Sequence, residues 1–184
     1  MSNNIEIAAQ KMELRKLIKK RKADLSTREM NIKSDAIFVK IERMPEFVSA
    51  KCVFAYVAMS DEVQTMAFIR KWVGWKRIVL PVVNGNDLEL REYITDEKLT
   101  KSERFGIMEP HVGPLVELAD IDFAIIPGIA FDGKNNRMGR GKGYYDKLLN
   151  SALFYKIGVC FDFQLVENVP IDCFDKKMDK VVIA

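Results

Sequence analysis

A glycine-rich segment with interspersed cations carries the clearest chemical signal in the chain. Residues 137–146 read Arg-Met-Gly-Arg-Gly-Lys-Gly-Tyr-Tyr-Asp, so three glycines alternate with Arg140 and Lys142. Glycine lacks a Cβ, which lets the backbone adopt positive φ and approach a ligand closely. A helix is predicted to follow from about 143 to 151, and a helix N-terminus offers unpaired N–H groups to an anion. The segment therefore predicts a phosphate-binding loop.

This loop matches neither of two common nucleotide-binding motifs. Lys142 is followed by Gly143 rather than by Ser or Thr, so the loop is not a Walker A sequence. Its G-x-G-x-G spacing also differs from a dinucleotide-binding fingerprint, although Asp162 lies where a ribose-binding acid would be expected. A glycine-rich surface turn is the alternative. An anion site is favoured by the cations Arg137, Arg140 and Lys142. Closely packed cations repel one another unless an anion or a nearby carboxylate compensates their charge.

Three carboxylates could complement such a loop. Asp146 follows it closely, near the expected position of a phosphate-bound Mg²⁺, although a helix aspartate interacting with the dipole is equally consistent. Asp175 could supply a second carboxylate, or belong to a solvated loop. Glu62 follows a predicted strand and suits hydrogen bonding to a polar heterocycle, with charge placement at a helix N-terminus as the alternative. His111 is the single histidine, and no catalytic triad can be assembled around it.

The N-terminal part of the chain is basic. Residues 11–22 carry seven cations and one acid, and residues from about 5 to 22 have helical composition with Leu14, Leu17 and Ile18 on one face. Such a helix could bind phosphate or RNA, but a solvated face is the more common explanation. No aromatic residue interleaves there to stack bases.

Apolar runs elsewhere predict strands that alternate with helices. A capping box at Ser26 and Glu29 opens a second helix with Ile32, Ala36 and Val39 on one face. A later helix runs from Ser60 or Asp61, as its cap, through 65–72. The predicted strands lie at 51–57, 77–80 (ended by Pro81), 88–94, 123–126, 155–161 and 180–183.

This alternation predicts an α/β fold with a mostly parallel, Rossmann-like sheet, helices on both faces and an N-terminal basic helix. Ligands of open α/β sheets bind beyond the carboxyl ends of the strands. The segments 56–62, 127–146 and 161–175 each follow a predicted strand, so we expect them to converge on one cleft.

Bulk properties predict one domain over residues 1–184. The net charge of +3 gives no general case for nucleic-acid or membrane binding. Cys52 and Cys160 lie in apolar runs typical of buried thiols, and with Cys173 they lack the spacing of a zinc site or disulfide framework. Because the first residues also lack a signal-peptide pattern, we expect a cytoplasmic protein.

The sequence of the loop and its surroundings is similar to a known family. Residues 127–132, Pro-Gly-Ile-Ala-Phe-Asp, together with 137–146 closely resemble the signature of the 5-formyltetrahydrofolate cyclo-ligase (5,10-methenyltetrahydrofolate synthetase) family. The similarity runs from about residue 8 to 183. It includes the K-x-x-L-R of residues 11–15, the E-x-x-T of residues 62–65, and segments 80–81, 106–110 and 169–179. Phe174 departs from the family pattern, in which His or Asn is common.

The resemblance implies an ATP- and Mg²⁺-dependent conversion of 5-formyltetrahydrofolate to 5,10-methenyltetrahydrofolate, with ADP and phosphate as the other products. The implied ATP contacts are Lys11, Arg15, Arg137, Met138, Gly139, Arg140, Gly141, Lys142, Gly143, Tyr144 and Tyr145. The implied folate contacts are Val57, Glu62, Arg140, Gly141, Lys142, Gly143 and Tyr144. Asp146 and Asp175 match the metal positions. Lys142 and Arg140 are the expected catalytic residues, because phosphoryl transfer depends on neutralising charge.

We expect a monomer whose partners are the two substrates, without nucleic acid or membrane. Two other function classes stay open. A sugar-phosphate isomerase or CoA-transferase-like protein on a related α/β scaffold would need no ATP. An RNA-binding accessory protein would use the basic helix and bind RNA in a salt-sensitive manner.

Overall fold

A computed structural model describes residues 2–23, 25–102 and 106–184 of the chain. Within these residues the helices are α1 (Ser2–Lys22), α2 (Thr27–Ile41), α3 (Pro45–Ser49), α4 (Met66–Trp72) and α5 (Tyr144–Leu149). The strands are β1 (Cys52–Phe54), β2 (Arg77–Asn84), β3 (Asp87–Glu92), β4 (Thr100–Lys101), β5 (Met108–Glu109), β6 (Phe123–Pro127), β7 (Ala130–Asp132), β8 (Arg137–Met138), β9 (Tyr155–Cys160), β10 (Leu165–Val166) and β11 (Lys180–Ile183).

The main sheet in the described part of the chain has six strands in the order β11-β9-β6-β1-β2-β3. All neighbouring strands are parallel except β2 and β3, which form an antiparallel pair. Alternate side chains of β1 face opposite layers: Val53 packs with α2, α3 and α4, whereas Phe54 packs with Leu149 of α5. Helices therefore cover both faces, and the predicted α/β fold is confirmed.

Proline does not end β2, contrary to the sequence-based expectation. The strand continues through Pro81 to Asn84 and pairs with β3 along its whole second half. The carbonyl of Val79 accepts a hydrogen bond from the backbone N–H of Ala55, on the edge of β2 that faces β1. Pro81 lies two residues further on, so its nitrogen faces the same edge. The paired residues of β1 end at Phe54, so no ladder hydrogen bond is lost there.

Two helix predictions also need correction. The capping box of Ser26 and Glu29 is present, but α2 buries Ile37, Phe38 and Ile41 and exposes Ile32 and Val39. The buried stripe differs from the expected one because packing against the rest of the fold decides which face of the helix is covered.

The N-cap of α4 is Thr65, rather than Ser60 or Asp61. The Thr65 hydroxyl donates to the carbonyl of Tyr56, which ties the start of α4 to the segment after β1. Residues 60 and 61 lie before the helix, and neither acts as its cap.

A small second sheet, β10-β7-β8, was not predicted from the sequence. It includes Arg137 and Met138, so the glycine-rich segment begins as a strand. Helix α1 packs on this sheet through Ile18, which is buried with Ala130, Met138 and Val169. Leu17, expected on the same face as Ile18, is exposed. The basic helix is therefore part of the fold, and it lies beside the glycine-rich segment.

The two cysteines expected in the core, Cys52 and Cys160, are buried free thiols, and Cys173 is exposed. Burial raises the pKa of Cys52 to about 11 and that of Cys160 to about 12. None of the helices in the described part of the chain combines the length and the apolar character that a bilayer crossing requires.

Candidate active site

A cavity of about 1020 Å³ opens beyond the carboxyl ends of β1 and β6. Its walls come from the segment after β1, strands β2 and β3, residues 107–109, the glycine-rich segment, α5, α1 and residues 172–176. The first two expected segments, 56–62 and 127–146, therefore converge, whereas only the end of 161–175 reaches the cavity. Every residue that the sequence assigned to ATP, folate or metal borders it: Lys11, Arg15, Val57, Glu62, Arg137, Met138, Gly139, Arg140, Gly141, Lys142, Gly143, Tyr144, Tyr145, Asp146 and Asp175.

The glycine loop, residues 139–143, has the backbone freedom that its sequence predicts. Gly141 and Gly143 have φ of +93° and +73°, and Gly143 is the N-cap of α5. A Cβ on Gly141 would lie 3.3 Å from an Arg15 guanidinium nitrogen, while Nε of Arg15 donates to the carbonyl of Gly139 at 3.1 Å. Glycine therefore lets α1 and the loop approach each other closely.

Arg137 points into the protein rather than into solvent. Its side chain is 2 % exposed, and Nη2 lies 2.6 Å from Oδ1 of Asp146. Nη1 donates to the carbonyl of Pro127, and the guanidinium lies over the ring of Tyr145. Arg137 therefore fixes the loop to β6 and to α5. Its contact with ATP stays a prediction.

Arg140 extends across the cavity mouth to two carboxylates. Its Nη2 lies 3.0 Å from Oε1 of Glu62, and the same nitrogen contacts Asp61. Asp61 also lies 2.8 Å from Nζ of Lys22, at the end of α1. Burial opposes ionisation of Asp61, but the hydrogen bonds from Lys22 and Arg140 outweigh it and lower its pKa. The charges of this cluster therefore hold the glycine loop against the segment after β1.

The carboxylate of Glu62 has a second partner. Its Oε2 accepts a hydrogen bond from the backbone N–H of Met59 at 3.0 Å. One oxygen is thus set by the local turn and the other by Arg140. This arrangement fixes the orientation of the carboxylate that the resemblance assigns to the folate site.

Lys11 joins α1 to the aspartate turn, residues 172–175. Its ammonium lies 2.7 Å from Oδ2 of Asp172 and also binds Asp175, and its side chain is 11 % exposed. The backbone N–H of Asp172 donates to Asp175, and that of Phe174 donates to Asp172. Burial opposes the charge of Lys11, but the hydrogen bonds to both carboxylates outweigh it and raise its pKa.

The remaining loop residues divide into anchored and exposed side chains. Met138 is buried beside Ile18, and Tyr144 donates to the carbonyl of Gly85. Lys142 borders the cavity and is exposed to solvent. An exposed ammonium that borders the cavity can act as a point charge for a phosphate group.

The two carboxylates that the resemblance assigns to a metal, Asp146 and Asp175, offer oxygen ligands, the type that Mg²⁺ takes. Asp146 and Asp175 both border the cavity, and no group of three or more potential protein ligands gathers among the described residues. Magnesium is usually held by one or two carboxylates together with substrate phosphates and water. Each carboxylate also has a cation partner, Arg137 or Lys11, which positions it in the wall.

Some functional candidates escaped the sequence analysis, and others moved out of the site. The sequence analysis did not assign Asp61 or Asp172 to the site. Asp61 could have been found because it is adjacent to Glu62, whereas Asp172 had no such signal. Asp162, considered as a ribose-binding acid, pairs with Lys33 at 2.9 Å and does not border the cavity. His111 lies beside Glu109, outside the cavity wall.

Comparison with known proteins identifies the family of the chain. A model of the 5-formyltetrahydrofolate cyclo-ligase family matches residues 7–184. The 5-formyltetrahydrofolate cyclo-ligase of Escherichia coli K12 is 30 % identical over 90 % of this chain and 96 % of its own length. The Haemophilus influenzae protein of the same name is 28 % identical over 94 % and 97 %.

Solved structures give the same result at the level of the fold. The 5,10-methenyltetrahydrofolate synthetase of Aquifex aeolicus has a TM-score of 0.85 and 36 % identity, covering 94 % of this chain and 89 % of the other. That of Mycoplasma pneumoniae has a TM-score of 0.74 and 25 % identity, covering 94 % and 97 %. The chain belongs to the 5-formyltetrahydrofolate cyclo-ligase family.

Proposed function

We propose that this protein is an ATP-dependent ligase that cyclises 5-formyltetrahydrofolate to 5,10-methenyltetrahydrofolate. Family membership over residues 7–184 supports this activity. The observation that carries it is the contact between Arg140 of the glycine loop and Glu62 of the opposite wall. One cavity thereby joins a phosphate-binding element to a carboxylate suited to a heterocycle, as a two-substrate reaction requires.

The chemistry accounts for both elements. A formamide oxygen is a poor leaving group, so ring closure requires that this oxygen be activated. Transfer of the γ-phosphoryl group to the formyl oxygen breaks its bond to ADP and makes the formyl carbon electrophilic. The nitrogen at position 10 then attacks that carbon, its proton passes to solvent or phosphate, and the carbon–oxygen bond breaks to release phosphate.

The residues around the cavity have matching tasks in this proposal. Phosphoryl transfer depends mainly on positioning and on stabilising charge over the phosphate oxygens. Lys142 and Arg140 supply positive charge at the loop, and Lys11 and Arg15 bind the nucleotide from α1. Glu62, oriented by Met59, accepts hydrogen bonds from the pterin, with Val57 beside it.

We propose Asp146 and Asp175 as magnesium ligands. The fit rests on two carboxylates that border the same cavity as the glycine loop. Bound there with the nucleotide, magnesium would neutralise charge on the phosphates. Arg137 and Lys11 would hold the two carboxylates in place through their ion pairs.

We also propose that residues 1–184 act as one domain and as a monomer. One chain supplies Lys11, Glu62 and Lys142 to the same cavity, which supports a site that is complete within each molecule. A reducing compartment such as the cytoplasm suits the free thiols of Cys52 and Cys160.

Turnover tests the proposal. The purified protein with 5-formyltetrahydrofolate, ATP and Mg²⁺ is expected to produce the ultraviolet absorbance of the methenyl product together with ADP. Omission of ATP or chelation of Mg²⁺ should each abolish that absorbance. Folded protein that gives neither product nor ATP consumption would refute the activity. Among the function classes considered, the family match favours the cyclo-ligase.

A further inference from the structure

Phe174 is the most exposed aromatic residue on the cavity rim within the described part of the chain. It borders the cavity, yet it is 74 % exposed. It lies in the aspartate turn, where its N–H donates to Asp172 at 2.8 Å and both aspartates bind Lys11. These contacts fix the backbone of the turn, and an exposed aromatic ring at a cavity edge offers a face on which a planar ligand can stack.

Helix α1 shows on which side of the glycine loop this ring lies. Three of its cations contact three different segments in order: Lys11 binds the aspartate turn, Arg15 binds Gly139, and Lys22 binds Asp61. An α-helix rises about 1.5 Å per residue, so Lys11 and Lys22 are about 16 Å apart along the axis. Along the axis of α1, the contact with the glycine loop therefore lies between the contact with the aspartate turn and the contact with Asp61, the neighbour of Glu62.

This order assigns the two ends to different ligands. A triphosphate on the glycine loop has the pterin at the Glu62 end, since Glu62 contacts the loop directly through Arg140. The nucleotide then extends from the glycine loop past Asp175, the proposed magnesium ligand, toward the rest of the aspartate turn. Phe174 presents its ring there, and base–aromatic stacking tolerates every base because each has a π-face.

Building on the proposed function, we propose that Phe174 is the aromatic platform on which the adenine ring of ATP stacks. The residue determines nucleotide affinity and takes no part in the chemistry at the formyl group. Recognition through stacking rather than through hydrogen bonds also predicts modest discrimination among bases, ranked by stacking strength, with purines above pyrimidines.

The test compares Phe174→Ala, Phe174→Trp and the wild type. Loss of a base–aromatic stack is expected to raise the KM for ATP about tenfold in Phe174→Ala, with kcat and the KM for 5-formyltetrahydrofolate unchanged. Phe174→Trp should restore the KM for ATP, and ATP should quench its added tryptophan fluorescence relative to the wild type. Trp75→Ala is the matched control, because Trp75 is 84 % exposed and outside the cavity wall.

Other outcomes overturn the assignment. An unchanged KM for ATP in Phe174→Ala would show that the ring does not contact the base. A selective rise in the KM for 5-formyltetrahydrofolate would place the ring against the folate instead. If Phe174→Ala lost the discrimination between ATP and CTP while its affinity for ATP stayed unaltered, this result would also contradict stacking. Each result requires an active wild type, so failure of the proposed function, seen as an inactive wild type, is distinguishable from failure of this inference.

Discussion

Arg140 and Glu62, separated by 78 residues in the sequence, meet across the cavity mouth at 3.0 Å. The pair links the loop expected to bind phosphate to the carboxylate expected to bind folate. Because both groups face the cavity, a substrate that binds either one changes the electrostatic surroundings of the other. The contact therefore couples the two halves of the site.

Glu62→Gln should raise the KM for 5-formyltetrahydrofolate by about ten- to a hundredfold, because a hydrogen bond to a charged group is worth about 1.5–3 kcal/mol. Steady-state kinetics with varied folate at saturating ATP measures the effect. Asp61→Asn is the control, since Asp61 also pairs with Arg140. If both variants raise the folate KM equally, Glu62 acts only by holding Arg140, and its direct contact with the pterin is wrong.

Lys142→Ala should lower kcat by about a hundredfold or more, because removal of one group that stabilises transition-state charge commonly costs that much. Thermal unfolding should be unaffected, since the side chain is exposed. Lys147→Ala provides the comparison: Lys147 also borders the cavity, but its ammonium binds the carbonyl of Asn86. Equal turnover in Lys142→Ala and the wild type would remove Lys142 from the mechanism.

Asp132 stabilises the segment that leads into the glycine loop. Its carboxylate is buried and accepts hydrogen bonds from the backbone N–H groups of Lys134, Asn136 and Val169. Burial alone would raise the pKa of Asp132, but these hydrogen bonds outweigh it and lower the pKa below its ordinary value of 3.8. The ionised group therefore contributes stability above about pH 4, and this contribution is lost as the pH falls through the folded pKa.

Asp132→Asn should accordingly lower the free energy of unfolding by about 1.5–3 kcal/mol at neutral pH. Urea denaturation across a pH series should show the difference from the wild type shrinking below about pH 4. Asp35→Asn, on the exposed side of α2, should change stability little at any pH. A difference that stays constant down to low pH would contradict an ionised Asp132.

Gly158→Ala should destabilise the protein by about 1–3 kcal/mol, because overpacking a well-filled core forces side chains to move. A Cβ on Gly158, in the middle of β9, would overlap the ring of Phe131. Chemical denaturation measures the loss. Gly74→Ala is the matched control, since a Cβ there meets no atom within 4 Å and its φ is not positive. Equal stability of the two variants would mean that β7 can shift to make room.

The sequence alone predicted the fold class and a set of residues that border one cavity. Continuous apolar segments that alternate with predicted helices along the chain indicated a parallel sheet. Strands buried on both faces need such continuous apolar segments. Glycine spacing indicated the loop, and Gly141 and Gly143 do adopt positive φ. These features depend on local backbone chemistry, which neighbouring residues determine.

Only the tertiary structure decided the partners of the charged side chains. Nothing in the spacing of the chain indicates that Arg137 turns inward to Asp146, or that Lys11 binds a turn 161 residues away at Asp172. The same holds for β2, which continues past Pro81 because β1 has already ended on that side. Ion pairs and strand ends depend on which segments meet in space. The balance between the cost of burial and the gain from charge pairing, which decides the ion pairs, exists only once the sheet has formed.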